Sequence, residues 1–162
     1  MKVILDLYGF LLGICCLTAG CCEDLASALR TNHSNLTELN LNYNKQLEDS
    51  GVRLLCAALG DPNCKLQGLR LWKAGLTDGC AEDLCYALST NHSLTELDLD
   101  GNSFTDSSVP SLTRLIQTCS SLKEIGLDGN RFSEEGKMKL MSQQEELKRS
   151  GRDVTVKVYP VQ

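Results

Sequence analysis

Leu94-Thr95-Glu96-Leu97-Asp98-Leu99-Asp100-Gly101-Asn102 is the stretch that decides the fold. It reads L-x-x-L-x-L-x-x-N. Leu97 and Leu99 are two residues apart, so they point to one face of a short strand. Asn102 follows where the chain must turn away, and its amide can satisfy backbone groups there. Three more copies stand in the chain, beginning at Leu36, Leu66 and Leu122, so the four starts are 30, 28 and 28 residues apart. The second copy departs from the pattern only by placing Ala74 where the others have asparagine. Self-similarity at this period is the signature of a solenoid, in which each unit buries its apolar face against the next.

Working outward, weaker copies flank these four. Leu7, Phe10, Leu12 and Cys15 fit the same positions, 29 residues before the copy at 36, and Leu17–Leu25 parallels Leu76–Leu84. The apolar run over residues 1–20 also imitates a secretory leader. Asp6 interrupts it, a single lysine precedes it, and it is in phase with the repeats, so it reads as a degenerate first repeat. At the other end, the alternation Val154-Thr-Val-Lys-Val158 predicts a terminal strand, preceded by a helix over residues 137–149.

Between the strands the apolar period becomes helical. Leu25-Ala28-Leu29, Leu55-Ala58-Leu59, Leu84-Ala87-Leu88 and Leu112-Leu115-Ile116 each form an i, i+3, i+4 stripe. Thr77-Asp78 and Thr105-Asp106 stand where helices begin, and either residue of each pair can cap. The expected fold is an α/β right-handed solenoid, a horseshoe arc of about five leucine-rich repeats. Repeats start near 7, 36, 66, 94 and 122 in one domain over residues 1–162, with strands on the concave side and helices on the convex side.

The residues between the core leucines face away from the core and form the candidate binding strip: Glu38, Asn40, Arg70, Trp72, Glu96, Asp98, Asp100, Glu124 and Asp128. Six carboxylates against one arginine predict an acidic face suited to a protein partner with a basic patch, or to other domains of the same parent chain. Trp72, the only tryptophan, either packs over its neighbours or anchors that partner. The formal charge of -5 and the absence of a basic cluster argue against nucleic acid. No membrane association is expected.

Catalytic signatures are missing. No nucleophile elbow or phosphate-cradling glycine loop accompanies Glu96, Asp98 and Asp100. The adjacent pairs Cys15-Cys16 and Cys21-Cys22 converge poorly on a metal, and His33 and His92 occupy equivalent turn positions. The reading is therefore a non-enzyme with no cofactor and no metal. Nine cysteines, an odd number placed within helix and strand faces, predict free thiols and a cytoplasmic, reducing location. A secreted repeat protein is the alternative, and would use the glycosylation patterns at Asn32, Asn35 and Asn91.

The alternating 28- and 29-residue repeat resembles the ribonuclease-inhibitor-like class. Leu54-Leu-Cys-Ala-Ala-Leu59, Asp61-Pro-Asn-Cys-Lys-Leu-Gln67 and the stretch from Leu94 to Asn102 resemble the C-terminal repeat domain of pyrin-containing NOD-like receptors. That resemblance implies a regulatory interaction domain of a cytosolic innate immune receptor, acting in ligand sensing, autoinhibition or assembly. A ribonuclease-inhibitor-like cytosolic inhibitor is the second reading.

Overall fold

The computed structural model describes residues 17–31 and 35–159. Five short strands, β1 (Glu38–Asn40), β2 (Gly68–Arg70), β3 (Glu96–Asp98), β4 (Glu124–Gly126) and β5 (Thr155–Lys157), form one parallel sheet in sequence order. Helices α1 (Ala19–Leu29), α2 (Glu48–Leu59), α3 (Ala81–Ser89), α4 (Val109–Thr118) and α5 (Glu134–Arg149) alternate with them. This is a parallel-strand and helix solenoid of about five repeats with a ribonuclease-inhibitor-like horseshoe architecture. The expected first copy, Leu7 to Cys15, lies outside the described residues.

Register is set by the repeat. Leu39, Leu69, Leu97, Ile125 and Val156 stand side by side across the sheet. All five are buried, as are Leu41, Leu71, Leu99, Leu127 and Val158 two residues on. The helices close the other side of this core with Leu55, Leu59, Leu84, Leu88, Leu112, Leu115 and Ile116. Truncating any one of these to alanine costs about 2–5 kcal/mol, because a solenoid one repeat thick has little room to collapse. The stripe predicted for α1 needs correction. Ala28 is exposed, and the inward face is Cys22, Ala26 and Leu29. The helix is turned because α1 packs close to α2 at Gly51, where a Cβ would stand 3.1 Å from the Cys22 sulfur.

Three side-chain ladders tie repeat to repeat. Buried Asn102 donates to the carbonyls of Leu71 and Leu99, both at 2.9 Å, and accepts the N–H groups of Ala74 and Leu76 at 3.0 and 3.1 Å. Asn130 repeats this one unit on, donating to Leu99 and Leu127. Because each asparagine also serves the carbonyl of the preceding repeat, Leu71 is satisfied by Asn102, and Ala74 leaves no orphan there. Asn91 forms a second tie, donating to the Leu59 carbonyl at 2.7 Å and accepting from Leu94 at 2.8 Å. It is buried, so a glycan there would require the loop to unfold.

The third ladder joins helix starts. Thr77, Thr105 and Ser133 cap their own helical turns by accepting from Gly79, Ser107 and Gly136. Each is held by an aspartate of the preceding repeat. Asp49 accepts the Thr77 N–H and hydroxyl at 2.8 and 2.5 Å. Asp78 accepts those of Thr105 at 2.8 and 2.6 Å, and Asp106 accepts the N–H of Ser133 at 2.8 Å together with its hydroxyl.

The C-terminal side of the sheet is covered. Helix α5 reaches over β5, and Gln144 accepts the Val156 N–H at 2.7 Å. Arg152 donates to the carbonyls of Gln117 and Cys119 at the end of α4.

Candidate functional site

The strand residues that do not enter the core form a continuous strip across β1 to β5; Glu38, Asn40, Arg70, Glu96, Asp98 and Glu124 lie on it, Asp100 and Asp128 just past the strand ends, and Trp72 beside it. Their chemistry differs from a plain acidic face. Arg70 pairs with Glu38 on one side at 3.0 Å and approaches Glu96 on the other at 3.5 Å. At the far end Lys157 on β5 pairs with Glu124 at 2.5 Å. Three of the six carboxylates are thus engaged by cations, and the expected six-to-one imbalance is corrected to six against two. Lys157 was not among the predicted residues, although its place in the Val154–Val158 alternation marks it as facing this strip.

Asp98, Asp100 and Asp128 join no ion pair among the described residues. They serve the backbone instead. Asp98 accepts the N–H of Asp100 at 2.9 Å, and Asp100 accepts that of Asp128 at 2.7 Å. Asn40 does the same for Asn42 at 3.0 Å, and Asn42 for Trp72 at 2.9 Å. Side chains can lie down this way because glycine occupies the facing strand. A Cβ on Gly126 would stand 2.7 Å from the Asp100 carboxylate, and one on Gly68 would collide with Glu38. Burial pushes the Asp100 carboxyl up to about 6, with Asp98 and Asp128 adding to the effect, while the Asp128 N–H and Lys157 oppose it. Arg70, Glu96, Asp98, Asp100, Glu124 and Lys157 surround a hollow of about 100 Å³ at the centre of the strip.

Trp72 lies half-buried beside the strip and packs on Tyr43 of the preceding repeat, ring centroids 4.6 Å apart and planes at 57°. Lys73, which sequence reasoning passed over, extends its ammonium over both rings, 4.9 Å from the Trp72 centroid and 5.5 Å from that of Tyr43.

The described residues contain no group of three His, Cys, Asp or Glu side chains able to hold a metal ion. No described helix is long and apolar enough to cross a membrane. Cys21, Cys22, Cys56, Cys64, Cys80, Cys85 and Cys119 are free thiols, and Cys15 and Cys16 lie outside the described residues. Burial pushes the Cys22 thiol up to about 11 and Cys56 to about 12, so these sulfurs act as packing groups and not as nucleophiles. His92 is an exposed turn residue, and His33 lies outside the described residues.

Comparison with known proteins places this geometry. The model of the TMOD/LMOD leucine-rich domain family matches residues 22–156. Among solved structures, the tropomodulin C-terminal domain of Caenorhabditis elegans superposes with a TM-score of 0.69 at 23% identity, over 87% of this chain and 84% of that one. Leiomodin-1 Actin-Binding Site 2 superposes with a TM-score of 0.67 at 18% identity, over 86% and 79%. Among curated relatives, the NACHT, LRR and PYD domains-containing protein 3 of Bos taurus is 55% identical over 89 residues, 55% of this chain and 8% of that protein. The Homo sapiens protein of the same name is 52% identical over 89 residues, again 8% of its length.

The expectation of a repeat domain from a pyrin-containing NOD-like receptor is corrected by the family match, which runs from α1 into β5. The innate-immune role expected with it falls for the same reason. Within the stretches that carried that resemblance, Leu55, Leu59, Leu66, Leu94, Leu97, Leu99 and Asn102 are demanded by the solenoid core and the asparagine ladder, so they report the repeat class more directly than the parent protein. The chain belongs to the TMOD/LMOD leucine-rich domain family, a non-catalytic protein-interaction module.

Proposed function

We propose that this chain binds actin through the strip formed by β1 to β5, with basic groups of the partner seated against Asp98, Asp100 and Asp128. Family membership supports actin as the partner, since one of the solved structures that superpose on this chain is an actin-binding site of leiomodin-1. The observation that carries the choice of surface is that these three aspartates, on and just after neighbouring strands, join no ion pair among the described residues. A partner's lysine or arginine reaches them without displacing an internal ion pair, whereas Glu38, Glu96 and Glu124 are already occupied. The free thiols support a reducing, cytoplasmic setting for this interaction.

The test is association of the chain with actin, compared with the triple variant Asp98→Asn, Asp100→Asn, Asp128→Asn. Asparagine keeps the side-chain oxygen that accepts each backbone N–H and removes only the charge. Binding should fall about tenfold or more and lose part of its salt dependence. Unchanged affinity would remove the strip from the interface, and failure of the unaltered chain to bind actin would remove actin as the partner.

A further inference from the structure

Just after each of β1 to β4 the backbone passes through the left-handed region, at Tyr43 (φ 62°), Lys73 (φ 53°), Gly101 (φ 65°) and Gly129 (φ 65°). Glycine adopts this conformation freely, whereas tyrosine and lysine hold it against steric resistance. The two non-glycine positions of this series are neighbours: Tyr43 is one ring of the aromatic pair and Lys73 supplies the ammonium above it, while Glu48 (φ 53°) at the start of α2 is left-handed as well. Strain retained in a cluster of exposed recognition side chains points to use by a ligand.

The chemistry of the cluster is one-sided. Lys45 and Lys73 line a shallow depression of about 330 Å³ with Gly75, Gly101, Asn102 and Ser103, and no carboxylate lines it. Neither lysine joins an ion pair among the described residues. The indole N–H of Trp72 has no acceptor among them either. Gly101 gives the indole its seat, since a Cβ there would stand 2.7 Å from its nitrogen. The Lys73 ammonium therefore stands over the aromatic faces of Trp72 and Tyr43, the latter 47% exposed, with the indole donor at their edge and Lys45 lining the adjoining depression.

We propose that this patch is a second docking surface, for an acidic protein segment that presents a carboxylate beside an apolar side chain. The carboxylate seats between Lys45 and Lys73 within reach of the indole N–H, and the apolar side chain covers Tyr43 and Trp72. Its charge preference is opposite to that of the strip, so the two surfaces do not compete for one ligand.

Trp72 is the only tryptophan, so its emission reports on the patch directly. The full chain would be titrated with the capped peptide Glu-Phe-Asp-Leu-Glu, its counterpart Lys-Phe-Lys-Leu-Lys, and inorganic phosphate. The expected result is a saturable emission change with the acidic peptide alone. Lys45→Gln and Lys73→Gly should each weaken it about tenfold, and the triple asparagine variant of the strip should leave it unchanged. Lys73→Gly occupies a position where glycine is at ease, so loss of binding there is not loss of fold. An equal response to the basic peptide, no saturable change with the acidic one, insensitivity to both lysine substitutions, or an equal response to phosphate would each overturn the proposal.

Discussion

The Asp100 carboxylate reaches across to the next repeat and accepts the backbone N–H of Asp128 at 2.7 Å, lying over the space left by Gly126. One oxygen thereby fixes the turn after β4 while the charge stays half-buried beside Asp98 and Asp128. Structure and recognition are superimposed in this residue, and they can be separated by substitution.

Folding raises the Asp100 carboxyl from 3.8 to about 6, so the folded chain holds a proton that the unfolded chain releases between those values. The stabilising effect of that proton is complete below about pH 4 and is lost as pH rises through about 6. Asp100→Asn keeps the acceptor and carries no charge. It should stabilise the fold at pH 7.5 by under about 1 kcal/mol after allowance for solvent screening, a rise of a few degrees in Tm, and have no effect near pH 4. Thermal melts at the two pH values check this; a destabilised variant at pH 7.5 would contradict it.

The aspartate ladder makes a different prediction. Burial opposes ionisation of Asp78, but the hydrogen bonds from Ser108 and Thr105 outweigh it and hold the carboxyl below its ordinary value. Asp78→Ala removes all three accepted bonds and leaves the Thr105 N–H unpaired, which should cost about 1–3 kcal/mol in urea unfolding at neutral pH. With a depressed pKa, the native contribution is present above about pH 4 and disappears as pH falls through the folded value. The deficit of the variant should therefore shrink in acid.

Position after the strand gives a matched pair. Gly101→Ala places a Cβ at φ +65°, against the Trp72 nitrogen, and should destabilise by about 1–2 kcal/mol or more. Lys73→Gly, at the same register one repeat earlier, relieves a left-handed lysine and should be neutral or stabilising by up to about 1 kcal/mol. Denaturation midpoints for the two variants should move in opposite directions.

The core and register were legible in sequence because the leucine spacing and the strand period coincide, and a slip by one residue would turn Leu97 and Leu99 to solvent. The asparagine ladder was legible for the same reason: its residue type recurs at one position. Ambiguity entered where two polar residues adjoin. Thr105 and Asp106 both suit a helix start, and only packing shows that threonine caps its own turn while aspartate holds Ser133 of the next repeat. The charge of the strip was overestimated because pairing of Arg70 with Glu38 and Glu96 is a lateral relation between repeats 26 to 32 residues apart. The Lys73 stack was missed because nothing in its spacing distinguishes it from a solvated lysine.

Gln144 has a consequence beyond closing the sheet. A parallel β-strand at the end of an array is a template for another chain, and Val156 carries the N–H that such a chain would seize. With the Gln144 side-chain amide already bound there, that N–H is withheld from a further strand. A strand approaching this edge finds the Val156 N–H already taken, so strand addition at β5 from a second molecule is disfavoured.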